Sequence, residues 1–96
     1  MAKGYWVVNM TITDAETYAG YQAFVRPFLD ANGGVFVIRG GQQLVAEGTA
    51  QARTIVVEFP SYADAERVYR SAEYQAGMQT RLQASVANFI IVEGLA

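Results

Sequence analysis

The stretch "TIVVEFPSYADAE", residues 54–66, decides how the rest of the chain is read. Its first half alternates, with Ile55, Val57 and Phe59 on one side and Thr54, Val56 and Glu58 on the other. A period of two marks a strand whose two faces meet different surroundings. Pro60 has no N–H to give a ladder and ends the strand. Ser61 with Asp64 three residues on has the spacing of a helix N-cap box. Strand three is therefore predicted over 53–59, followed by a helix to Tyr69. Glu58 is the anomaly, a carboxylate in an otherwise apolar run. The alternation sets it on the face opposite Ile55, Val57 and Phe59.

Working outward, "GYWVVNMTI" (4–12) is rich in β-branched and aromatic residues and reads as strand one. Thr13 and Glu16 have capping-box spacing, so Thr13 is the expected N-cap of the first helix. Tyr18, Tyr21, Val25, Phe28 and Leu29 recur at three- and four-residue intervals along it. Pro27 cannot donate to the carbonyl of Ala23, which predicts a kink or a restart. "NGG" (32–34) ends the helix, and "VFVIR" (35–39) is strand two. "GG" (40–41) breaks that strand, and "QLVAEG" (43–48) is expected to add a short second segment. Ser71 caps another helical piece, 72–85, with Gly77 as its weak point. "VANFIIVEG" (86–94) is the last strand.

The order βαββαβ predicts an α+β, ferredoxin-like fold, one domain over residues 1–96, with a four-stranded antiparallel sheet and helices on one face. Trp6, Val8 and Met10 join Ile55, Val57 and Phe59 under the helices. Phe36 and Ile38 are expected there too. That leaves Tyr5, Val7, Asn9, Val35, Val37, Arg39, Val56 and Glu58 on the open face. Ile90 and Ile91 fit either register of strand four, so the face of Glu93 stays open. A solvated face would carry more charge. The mixed open face fits two sheets stacked in a homodimer around a small cavity.

Composition narrows the chemistry. The 96 residues are 52% hydrophobic and 17% charged, an apolar excess that fits a subunit interface. Cysteine and histidine are both absent, which removes thiolate and imidazole metal ligands, Ser-His and Cys-His nucleophile pairs and a histidine base. Glu47, Glu58 and Glu93 lie far apart and show no metal spacing, and no cofactor is implied. Net charge is −2 with no basic block, so nucleic acid and an anionic membrane surface are not expected partners. An RNA-recognition module shares the element order but needs basic and aromatic residues on the open face of strand three, where Thr54, Val56 and Glu58 stand. No apolar run approaches a membrane span and no signal peptide is visible, so the cytoplasm is the default expectation.

The motifs "RGG" (39–41), "EG" (47–48), "VVEFPS" (56–61), "SAEYQ" (71–75), Arg81 and "VEG" (92–94), in this order, resemble those of the DUF1330 family within the dimeric α/β-barrel superfamily. The resemblance covers nearly the whole chain. One departure is that Val68 precedes Tyr69, where members often carry an aromatic pair before the serine of "SAEYQ". The resemblance implies a ferredoxin-like protomer and a dimer whose sheets form a barrel. It implies no activity, because superfamily relatives range over cofactor-independent oxygenases, isomerases and haem proteins. A histidine-ligated haem is excluded by the absence of histidine.

Two readings of the polar residues stay open. In the structural one, Glu58 pairs with Arg39 and with Asn9, because a buried carboxylate needs a partner. In the functional one, Glu58 is a general base and Arg39 an anion clamp in the dimer cavity, with Asn9, Tyr5, Tyr74 and Arg81 as further ligand-binding candidates. "RGG" is either a close backbone approach to a ligand or a bulge that needs glycine. Arg53 and Glu47 read as solvated or cross-subunit ion pairs. The corresponding functions are a small-molecule-binding or structural dimer and, as the rival, a cofactor-independent oxygenase- or isomerase-like enzyme.

Overall fold

A computed structural model describes residues 1–96. Seven elements follow in order: β1 (Gly4–Ile12), α1 (Ala15–Ala31), β2 (Val35–Arg39), β3 (Arg53–Phe59), α2 (Tyr62–Arg70), α3 (Ala72–Ala84) and β4 (Ser85–Glu93). The strands form one antiparallel sheet in the order β2-β3-β1-β4. This is the ferredoxin-like arrangement, with the second helical region divided at Ser71.

The inner sheet face is as apolar as the alternation predicts. Trp6, Val8, Met10, Ile55, Val57 and Phe59 are all buried. Tyr18, Tyr21, Val25, Phe28 and Leu29 of α1 close over them, with Val68 of α2 and Tyr74 of α3. Trp6 is the hub. Its ring lies 5.0 Å from Phe59, 4.9 Å from Tyr74 and 5.2 Å from Phe89, and its indole N–H donates to the Ala65 carbonyl at 2.8 Å. A large aromatic side chain with its polar atom satisfied stabilises a core well. Strand four pairs Trp6 with Ile91 and Val8 with Phe89, so Ile91 and Phe89 point inward and Ile90 outward. Glu93 pairs with Gly4 on the helix side, at the exposed edge.

Four local expectations are corrected. Asp14, not Thr13, caps α1: its carboxylate accepts from Thr17 N–H at 3.1 Å and from the Thr17 hydroxyl at 2.7 Å. The carboxylate satisfies two donors at once, which a threonine one residue earlier would not. Pro27 neither restarts nor ends α1, which runs on to Ala31. Val25, Phe28 and Leu29 are buried on both sides of it, and their packing outweighs the lost hydrogen bond, a penalty of about 3 kcal/mol. Residues 43–48 add no strand segment. Gly77 does not interrupt α3, which runs on to Ala84; it lies against the Phe24 ring, where a Cβ would collide, so it permits close contact between α1 and α3.

A fifth correction moves a charged residue. The β2–β3 register runs Phe36↔Val57 and then Ile38↔Val56, Arg39↔Ile55, with a bulge at Val37. One extra residue reverses the alternation beyond it. Ile38 therefore turns outward and Arg39 turns to the helix side. The expected Arg39–Glu58 pair does not exist.

Candidate functional site

With Arg39 gone, Glu58 finds other partners on the open face. Its Oε1 lies 3.4 Å from Lys3 Nζ, and its Oε2 accepts from the Tyr5 hydroxyl at 3.3 Å. Tyr5 faces Glu58 across the β1–β3 ladder, so the pair follows from register. Asn9, four residues along, does not reach Glu58. Its amide donates to the carbonyl of Arg53 at 3.1 Å and to the Thr54 hydroxyl at 3.2 Å, and its Oδ1 accepts from Gln51 N–H at 2.7 Å. Thr11 adds a bond to the Gln51 side chain at 2.7 Å. Asn9 thus staples the end of the 40–52 loop to the sheet and fixes where Arg53 begins.

The inner face carries a cavity of about 40 Å³ between α1 and the sheet. By the usual measure this holds about three water molecules. Eleven of its 16 lining residues are hydrophobic. The other five are Gln22, Arg26, Arg39, Arg53 and Arg81, and no carboxylate is among them.

The four arginines arrive from four elements and lie at graded depth. Arg81, on α3, is only 4% exposed, and its guanidinium rests over the rings of Phe89 at 5.2 Å and Tyr21 at 5.9 Å. Arg53, the first residue of β3, is half-buried and continues the inward row of Ile55 and Val57. Arg39 lies over the Phe36 ring at 5.2 Å and is exposed, as is Arg26 on α1. Nε of Arg53 and Nε of Arg81 are both buried without a hydrogen-bond partner. The rarity of such atoms makes them informative. Gly40 fits this geometry: it takes a φ of +68°, and a Cβ there would collide with the Arg53 guanidinium. The glycine of "RGG" therefore leaves room for an arginine.

Tyrosines complete the wall. Tyr18 and Tyr21 line the cavity, and the Tyr21 hydroxyl shares a 2.8 Å hydrogen bond with that of Tyr74. Tyr74 is fully buried, an element of the core rather than of a cavity mouth. Burial pushes the pKa of Tyr18, Tyr21 and Tyr74 up, so these phenols stay protonated. Burial opposes the charge of Arg81, but the pull of the Tyr74 and Tyr21 oxygens outweighs it and raises its pKa.

Of the residues singled out in the sequence, the structure brings Arg39 and Arg81 to one cavity and leaves Tyr5, Asn9 and Glu58 on the opposite face. The sequence reading passed over Arg26 and took Arg53 for a solvated or cross-subunit ion pair, whereas in the protomer Arg53 lines the cavity without a carboxylate partner. The signal for Arg53 was present, because it alternates in phase with Ile55 and Val57. No group of three or more acidic side chains is arranged to hold a metal ion, and no helix is long and apolar enough to cross a membrane.

The sheet order and the helix-covered face define an α+β protein of the ferredoxin-like class. The chain belongs to the DUF1330 family, a domain of unknown function, whose model matches residues 3–95. No curated protein sequence matches it. A protein of unknown function from Rhodopseudomonas palustris is similar in structure, with a TM-score of 0.75, 22% identity, and 99% of this chain and 84% of that one covered. SnoaB, a cofactor-independent oxygenase from Streptomyces nogalater, has a TM-score of 0.64 and 12% identity, with 100% and 96% covered. A dimeric ferredoxin-like protein of unknown function from Thermobifida fusca has a TM-score of 0.58 and 9% identity, with 95% and 92% covered. At these identities the likeness speaks for the fold alone.

Proposed function

We propose that the chain is a small-molecule-binding domain whose site is the cavity between α1 and the inner sheet face. The observation that carries this reading is Arg81: a buried cation beside an apolar cavity, its Nε without a partner. Converging polar groups in a mostly apolar concavity are the usual composition of a ligand site. The site differs from the dimer-interface cavity expected from the sequence, since Arg39 and Arg81 both line the helix side. Arg39, Arg53 and Arg81 are its binding residues, and Asn9 positions Arg53 from behind. Glu58 lies outside this cavity, on the open face, where it is paired with Lys3 and Tyr5.

The domain acts as a homodimer joined through its open sheet faces. Val35, Ile38, Val86, Ile90 and Val92 expose apolar surface there without covering elements. A two-fold axis would cover this patch with its own copy, and the Thermobifida fusca protein of similar fold is described as dimeric. Native mass spectrometry of the purified protein tests both statements at once. A dimeric mass with a copurified small molecule is expected. A strictly monomeric mass at micromolar concentration would overturn the dimer. A bound molecule released unchanged by Arg53→Gln and Arg39→Gln together would overturn the assigned site.

A further inference from the structure

The chain's cations divide into two groups. It has seven basic side chains. Lys3, Arg67 and Arg70 are paired with Glu58, Asp64 and Glu66. The remaining four, Arg26, Arg39, Arg53 and Arg81, all line the one cavity, and none has a carboxylate partner. In a chain with nine acidic side chains and a net charge of −2, this separation is not a consequence of composition. Like charges gathered at a low-dielectric wall repel one another, and their field is strongest where water is scarcest.

Resting on the proposed site above, we infer that its ligand is a small monocarboxylate with an apolar tail. Guanidinium groups present planar forks of N–H donors that match the two oxygens of a carboxylate. Arg53 and Arg81, each with a buried and unpartnered Nε, take the head, and the charges of guanidinium and carboxylate make these bonds charge-assisted. The closed space of about 40 Å³ admits a head of about three heavy atoms and no large polyanion, so the tail runs outward past the half-buried Phe36 at the mouth. Arg39 and Arg26, exposed at the rim, draw an anion toward the mouth. The neutral phenols of Tyr18 and Tyr21 line the cavity without adding negative charge.

The test uses hexanoate, hexanamide and inorganic phosphate as probes of the full-length protein, observed through the arginine Nε–H signals in nitrogen-15 spectra. Hexanoate is expected to shift the Arg53 and Arg81 signals saturably. Hexanamide, equal in shape but uncharged, should bind about tenfold more weakly or less, the loss expected for one charge-assisted hydrogen bond. Arg53→Gln should weaken hexanoate by about the same factor and leave hexanamide unchanged. Arg53 is half-buried, and the exposed Arg39→Gln supplies a second variant with little risk to folding. Equal binding of hexanoate and hexanamide would overturn the anionic assignment while leaving the cavity as a ligand site. Tighter binding of phosphate than of hexanoate at the same signals would overturn the apolar-tailed class. No shift of either signal with any probe at millimolar concentration would sink both the ligand class and the site.

Discussion

The two faces of the sheet treat charge in opposite ways. On the open face, Glu58 is half-buried and holds two partners, Lys3 and Tyr5. On the inner face, Arg53 and Arg81 are deeper and carry Nε atoms with none. Parity along β3 separates Arg53 from Glu58, while Arg81 reaches the inner side from α3. Where a charge serves the fold, its partner comes from the neighbouring strand. On the inner side the arginines have no carboxylate partner; Arg81 rests on the rings of Tyr21 and Phe89 and Arg39 on that of Phe36.

Each face can be broken separately. The largest effect is expected in assembly. In the proposed dimer, Ile90→Asp puts a carboxylate into the apolar patch on the edge strand β4, where the facing sheet would bury it without a partner. Light scattering should show the mass halved, with the helical circular dichroism unchanged; a persisting dimer would break the assignment of this face. Next is Trp6→Ala on the inner face. It should cost about 3–5 kcal/mol in urea unfolding, because the cavity left at the hub cannot collapse. A loss below about 1 kcal/mol would contradict its central packing.

The third effect comes from the tyrosines. Their folded pKa values are raised above the ordinary value of 10.0. Below pH 10 both folded and unfolded chains keep the phenolic protons, and the contribution is fully present. Above pH 10 only the unfolded chain releases them, so stability falls as pH rises toward the folded values. For Tyr21, buried and far shifted, the slope is about 1.4 kcal/mol per pH unit. Urea midpoints followed upward from pH 9 should fall, and fall less steeply in Tyr21→Phe. The smallest effect is Glu58→Gln. A partly exposed pair with Lys3 is worth about 0–1 kcal/mol, and urea unfolding should register no more than that.

The inner face was legible in the sequence because Trp6, Val8, Met10, Ile55, Val57 and Phe59 alternate without interruption. The open-face position of Glu58 followed from the same rhythm. Its partner did not, because Val35, Phe36, Val37 and Ile38 are all apolar and give no sign of a one-residue bulge. That single shift took Arg39 to the other side. Arg53 was legible by parity, but its place at the start of the strand, straight after the 40–52 loop, resembled a solvated loop residue. The convergence of four arginines joins residues 26, 39, 53 and 81, and only tertiary structure brings them together. The cap of α1 was missed by one residue, since Thr13 and Asp14 are both competent N-caps and the better-placed carboxylate decides.

Trp6 is the chain's single tryptophan. Its ring borders the cavity, and Tyr74 and Tyr69 lie 4.9 and 6.2 Å away. The protein therefore contains its own optical probe. Light absorbed by the tyrosines passes to one indole whose emission reports both the loss of its dry surroundings on unfolding and the arrival of a molecule beside it. Occupancy of the cavity and integrity of the core can be followed in the same unlabelled sample.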